Sequence, residues 1–122
     1  MATADASVQP VKPSPPIYRY QYTCTELEQL WDREGGNPRD AFLAAEISRA
    51  ESSGVSRAVS PMDWNGERDW GLWQINGGHD PADPTLYLDP VVNARAAIAI
   101  SDDGSNWSPW TTYLTGAYYG EC

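Results

Sequence analysis

Long apolar runs are missing from this sequence. No window approaches the ~20 consecutive apolar residues that a membrane-spanning helix needs. Basic clusters are missing too. The 8 basic residues are scattered singly, all of them Arg except Lys12, against 17 acidic residues, for a formal net charge of −9. A nucleic-acid partner requires a basic patch that displaces counterions, and an anionic lipid surface requires the same, so neither partner is expected. The acidity also opposes attraction to any other polyanionic surface, so binding to one must rest on short-range fit or on a carrier. Cysteine and histidine are scarce: Cys24, Cys122 and the lone His79 have no zinc-ligand spacing between them, and no metal or organic cofactor is implied. The first residues, 1–5, lack a basic n-region and an apolar h-region, so they do not read as a secretory signal.

What is present fits one domain, since 122 residues are too few for two. Residues 1–21 read as a Pro-rich N-terminal arm and residues 22–122 as the folded domain. Pro10, Pro13, Pro15 and Pro16 interrupt the arm, which favours extended polyproline geometry and contact with another chain or with its own domain. Tyr18, Tyr20 and Tyr22 then alternate, as in a short extended stretch. Cys24 and Cys122 stand near the two ends of the domain. They form either a disulfide, stabilising by roughly 4–5 kcal/mol on the chain-entropy model, or two unpaired thiols.

Thr23 with Glu26, and Thr25 with Glu28, both have capping-box spacing before a first helix whose apolar face is Leu27, Leu30 and Trp31. Asn37-Pro38 opens a second helix, rich in small residues (Ala41, Ala44, Ala45, Ile47, Ala50), which runs to Glu51 and stops at Ser52-Ser53-Gly54. Asn65-Gly66 signals a tight turn, and Asp89-Pro90 opens a third helix. The aromatic-rich segment from Trp107 to Tyr119 is expected to pack back on the core.

Glu51 carries the chemistry. At the C-terminal end of a helix, among small neighbours, a carboxylate is disfavoured by the helix dipole and by burial. Both raise a carboxyl pKa, as a general acid near neutral pH requires. A solvated last-turn glutamate is the plain alternative. The tryptophans offer flat apolar faces with an edge donor, a form suited to sugars: Trp64 or Trp70 for a cleft, Trp73 or Trp107 for the core. His79 reads as a surface loop residue.

Four segments in order then resemble the lysozyme and lytic-transglycosylase superfamily: Ala50-Glu51-Ser52-Ser53-Gly54, Gly71-Leu72-Trp73-Gln74-Ile75-Asn76, Asp89-Pro90 with Asn93-Ala94, and Thr115-Gly116-Ala117-Tyr118-Tyr119-Gly120. The resemblance implies a mainly helical α+β, lysozyme-like fold with a small β-hairpin or irregular lobe at residues 55–76 walling a cleft. It implies a muramidase acting on bacterial peptidoglycan, in which Glu51 protonates the glycosidic oxygen. Ser52 and Gln74 would contact the sugars or hold Glu51, and Tyr118, or Tyr119 if the register slips by one, would hydrogen-bond its carboxyl. Asn93 is more structural than catalytic. The run from Asp69 to Asn76 resembles animal-type lysozymes, where the leading Asp serves as nucleophile or charge stabiliser, so Asp69 is either the second carboxylate or a turn acid beside Asp63 and Glu67. The setting expected is a phage endolysin or a virion-carried lysin, with the arm meeting other virion proteins, and the host cell wall as its place of action. Alternatives are a virion or wall-binding component that keeps the shape with little activity, and a bacterial enzyme secreted by a non-classical route.

Overall fold

The computed structural model describes residues 18–122, and the Pro-rich stretch 1–17, with the contacts expected of it, lies outside the described residues. The first helix, α1 (Cys24–Arg33), is fixed by one of its two capping-box spacings. The Glu26 amide donates to the Thr23 hydroxyl (3.2 Å) and the Thr23 amide donates back to the Glu26 carboxylate (2.9 Å). Thr25 and Glu28 lie inside the helix instead. Leu27, Leu30 and Trp31 are buried. Asn37 caps a 3-10 turn, Pro38–Asp40, accepting from the Arg39 amide (3.0 Å). The chain then enters α2 (Ala41–Ser52), whose buried Ala41, Ala44, Ala45 and Ile47 lie against α1. Small side chains allow that close approach. Ser53 (φ 55°) and Gly54 (φ 76°) end α2, and a Cβ on Gly54 would collide with the Tyr22 carbonyl. This stop holds Glu51 in the last turn.

Residues 55–76 form the small lobe. Asn65-Gly66 sits in a tight turn in which the Gly66 amide donates to the Asp63 carbonyl (3.0 Å). Val59 bridges Trp70, and β1 (Asp69–Trp70) pairs antiparallel with β2 (Ile75–Asn76), placing Asp69 opposite Asn76. The connecting turn needs positive φ at Gly71 (75°) and Gln74 (50°). Only glycine fits the first position, because a Cβ would strike the Tyr87 carbonyl and the Asn93 amide.

The third helix, α3 (Pro90–Ile100), starts on Asp89, whose carboxylate accepts from the Val91 and Val92 amides (2.8 and 3.3 Å). Its Asn93 is fully buried and clamps the lobe. Nδ2 donates to the carbonyls of Trp70 and Tyr87 (both 2.7 Å), and Oδ1 accepts from the Trp73 amide (2.8 Å). Asn93→Ala would leave three buried backbone groups without partners, so it should cost about 2–4 kcal/mol of stability, measured by urea unfolding. A loss under about 1 kcal/mol would show that the clamp is dispensable.

Trp31, Trp73, Trp107 and Trp110 are buried in one cluster, with successive ring centroids 6.2 Å (Trp31–Trp73), 5.5 Å (Trp31–Trp107) and 4.9 Å (Trp107–Trp110) apart. The chain after Trp110 forms a short helix, α4 (Thr111–Thr115), that buries no residue and therefore leaves no apolar period in the sequence. Cys24 and Cys122 form a disulfide, with Cα atoms 5.8 Å apart. Residues 18–21, read from the sequence as the end of the arm, lie along the domain. Gln21 bridges Val55, the Tyr20 carbonyl accepts from the Ser56 amide (2.9 Å) and the Tyr18 hydroxyl donates to Asp89 (3.3 Å). The architecture is mainly helical α+β, with a small antiparallel lobe on one side of a cleft.

Candidate active site

The cleft encloses about 450 Å³ between the small lobe and a helical wall made of the ends of α2 and α3 and the start of α4. Glu51 projects from the last turn of α2 and is half-buried. Burial pushes its carboxyl pKa up, the Thr112 hydroxyl pulls it down, and the charge of Asp69 raises it again. The Thr112 hydroxyl donates to Glu51 Oε2 at 2.6 Å. The helix end adds a partial negative charge that works in the same direction as burial.

Asp69 lines the same cleft from β1. Its strand partner Asn76 donates from Nδ2 to Asp69 Oδ1 (2.9 Å) and to Asp63 Oδ2 (3.2 Å). Burial raises the Asp69 pKa and the Asn76 amide lowers it, while the neighbouring Asp63 carboxyl raises it. Two carboxyls held this close to one amide retain a proton more readily than either would alone.

Gln74 also lines the cleft, and its strained backbone aims the side chain. Nε2 donates to the carbonyls of Ala58 (3.1 Å) and Gly71 (3.0 Å), which fixes the amide plane. Trp64 stands on the rim, 97% exposed, with its face available for stacking. His79, read from the sequence as a loop residue, ends the 3-10 turn Gly77–His79, where it is exposed and borders the same cleft.

Three sequence-based expectations are corrected. Tyr118 does not hold Glu51. Its ring stacks on Tyr113 (centroids 5.3 Å apart), and the hydroxyl bound to Glu51 belongs to Thr112. Tyr119 is 84% exposed and does not take that place either. Ser52 faces away from the cleft. It is buried, and with Ser48 one turn earlier it directs its hydroxyl at the Leu72 carbonyl (2.8 and 2.9 Å), tying the lobe to α2. One residue along a helix turns a side chain by ~100°, and with Glu51 on the cleft that step carries the Ser52 hydroxyl to the Leu72 carbonyl. Trp70 packs against the core and does not line the cleft. Neighbouring strand residues point to opposite faces, so once Asp69 turns to the cleft, Trp70 turns inward.

Two contributors escaped sequence reading. Thr112 lies 61 residues from Glu51, on a helix without an apolar stripe, and has no local signal. Asp63 looked like one loop acid among several, and only the Asp69–Asn76 register brings it to the site.

Glu51, Asp69 and Gln74 thus meet in one cleft, with Trp64 on the rim, whereas Ser52, Trp70 and Tyr118 support the walls. No curated protein matches the sequence. The family model described as a lysozyme like domain matches residues 29–112, a span that includes Glu51, Asp63 and Asp69, Thr112 and the core tryptophans. With the matching architecture, this places the chain in the lysozyme-like domain family.

Proposed function

We propose that this domain is a muramidase that cleaves the β-1,4 bond between N-acetylmuramic acid and N-acetylglucosamine, with Glu51 as proton donor and Asp69 as the second carboxylate. Membership of the lysozyme-like family implies a glycosidase or transglycosylase acting on peptidoglycan. One observation carries the finer reading: Glu51 and Asp69 line the same cleft from opposite walls, near enough for the charge of Asp69 to raise the Glu51 pKa.

Burial keeps Glu51 protonated to higher pH than an ordinary glutamate, so it can donate to the leaving glycosidic oxygen. Positive charge then develops at the anomeric carbon, and Asp69 supplies the compensating negative charge. The Asn76 amide favours the charged form of Asp69, and Asp63 beside it favours the proton, so Asn76 opposes neutralisation of the carboxylate the reaction needs. Gln74 and Trp64 are assigned to the sugars, through the amide and through stacking.

The setting inferred is a phage lysin, free or carried on a virion. The Pro-rich stretch before the domain supports it, as a composition suited to an extended connection to a carrier. Mass spectrometry of muropeptides released from purified peptidoglycan tests the chemistry. Hydrolysis assisted by Asp69 yields reducing muramyl ends. Chiefly 1,6-anhydro ends would instead assign the step to the substrate's own N-acetyl group, and absence of cleavage would refute the enzyme.

A further inference from the structure

Thr112 donates to Glu51, yet the helix that carries it is weakly anchored. None of the five residues of α4 is buried. The segment that follows, residues 116–122, is exposed except for half-buried Tyr118. Trp110 anchors the start of this stretch, with its indole N–H donating to the Trp73 carbonyl (2.8 Å). Beyond Trp110, a chain of contacts runs back from the disulfide to Glu51. Cys122 is bonded to Cys24, the first residue of α1. Glu46 on α2 is only 6% exposed, and its Oε2 accepts from the amides of Gly120 (2.9 Å) and Cys122 (3.4 Å). The Tyr118 amide donates to the Thr112 carbonyl (3.3 Å), and the Tyr118 ring stacks on Tyr113 of α4.

We infer that Thr112 is a positioning residue for Glu51 whose place depends on the Cys24–Cys122 bond, so that the domain carries a redox-sensitive latch on its own acid. The proposal rests on the reading of Glu51 as the acid. With the bond closed, Cys122 is held beside Glu46, the segment lies on α2, and α4 keeps its hydroxyl on the carboxyl. With the bond reduced to two thiols by an external dithiol or phosphine, which is itself oxidised, the strip is tied to the rest of the domain by the Gly120 and Cys122 amides on Glu46, by the Thr112 hydroxyl on Glu51 and by half-buried Tyr118. Those are too few to order about ten residues, since fixing each backbone residue costs roughly 1–2 kcal/mol. A reducing cytosol would keep the latch open, and oxidising surroundings would close it. Wall cleavage is then suppressed where the chain is made and released where the wall is.

Among the described residues, the titratable groups that line the cleft with Glu51 are Asp63, Asp69 and His79, and none of them belongs to the latch. Coupling between Thr112 and Glu51 therefore reports the latch alone. The test is a double cycle: the Glu51 carboxyl pKa, measured by carbon-detected NMR titration, in the parent protein and in Thr112→Val. Each is measured with the disulfide closed, after reduction of the folded protein, and in a Cys24→Ser/Cys122→Ser background. With the bond closed, Thr112→Val should raise the Glu51 pKa by about one pH unit, because a donor to the charged form is lost. With the bond absent, the same substitution should leave it nearly unchanged. Wall lysis should fall about tenfold or more on reduction. An equal effect of Thr112→Val in both redox states, or no effect in either, overturns the latch. So does loss of the near-ultraviolet signal of the tryptophan cluster on reduction, which would make the bond a staple for the whole fold. Activity surviving in Glu51→Gln would sink the assigned acid and leave the pKa cycle to decide the latch independently.

Discussion

Glu51→Gln should lower lysis of purified peptidoglycan by on the order of 10²–10⁴-fold while the fold survives, because glutamine keeps the shape of the side chain and loses the proton. The same variant should be more stable than its parent at neutral pH. A carboxyl whose pKa is raised on folding binds more protons folded than unfolded, so it costs stability as pH rises from its unfolded pKa towards the higher folded one. Glutamine escapes that loss. Urea unfolding at pH 4 and pH 7 should show parent and variant alike at the lower pH and the variant ahead at the higher. Retention of more than about a tenth of parental lysis would remove Glu51 from the chemistry. Equal stability at both pH values would mean that its pKa is not raised.

Asp69→Asn is expected to cost on the order of 10²-fold in lysis, the usual scale for removing one transition-state electrostatic contact. The loss should be smaller than at Glu51, since proton donation survives. A second effect separates this role from plain damage to the lobe. The charge of Asp69 contributes to the raised pKa of Glu51, so its removal should move the alkaline limb of the pH–activity profile to lower pH. A variant that only disturbed the fold would lose activity without moving that limb. Near-parental activity of Asp69→Asn with chiefly anhydro products would transfer the stabilising role to the substrate and leave Glu51 in place.

Local features of the sequence determined the helices and the position of the acid. The Thr23/Glu26 box, the Asn37-Pro38 and Asp89-Pro90 starts and the stop after Ser53 act within a few residues of chain, where capping and backbone sterics decide. They place Glu51 in a last turn through contacts close in sequence. The Asp69–Asn76 hairpin is similarly local, with Gly71 and Gln74 supplying its positive φ angles.

Which side chains share the cleft was decided only by tertiary packing. Ser52, Trp70 and Tyr118 are each close in sequence to a residue of the site or of its walls, and each turns the other way, because neighbours on a helix, strand or turn point to different faces. Thr112 and Asp63 reach the carboxyls through contacts without a local signature. Thr112 is carried by an α4 that buries nothing, and Asp63 is joined through one amide shared across the lobe. Neither contact has a period or a cap to announce it: Thr112 meets Glu51 across 61 residues of chain, and Asp63 meets Asn76 across the small lobe.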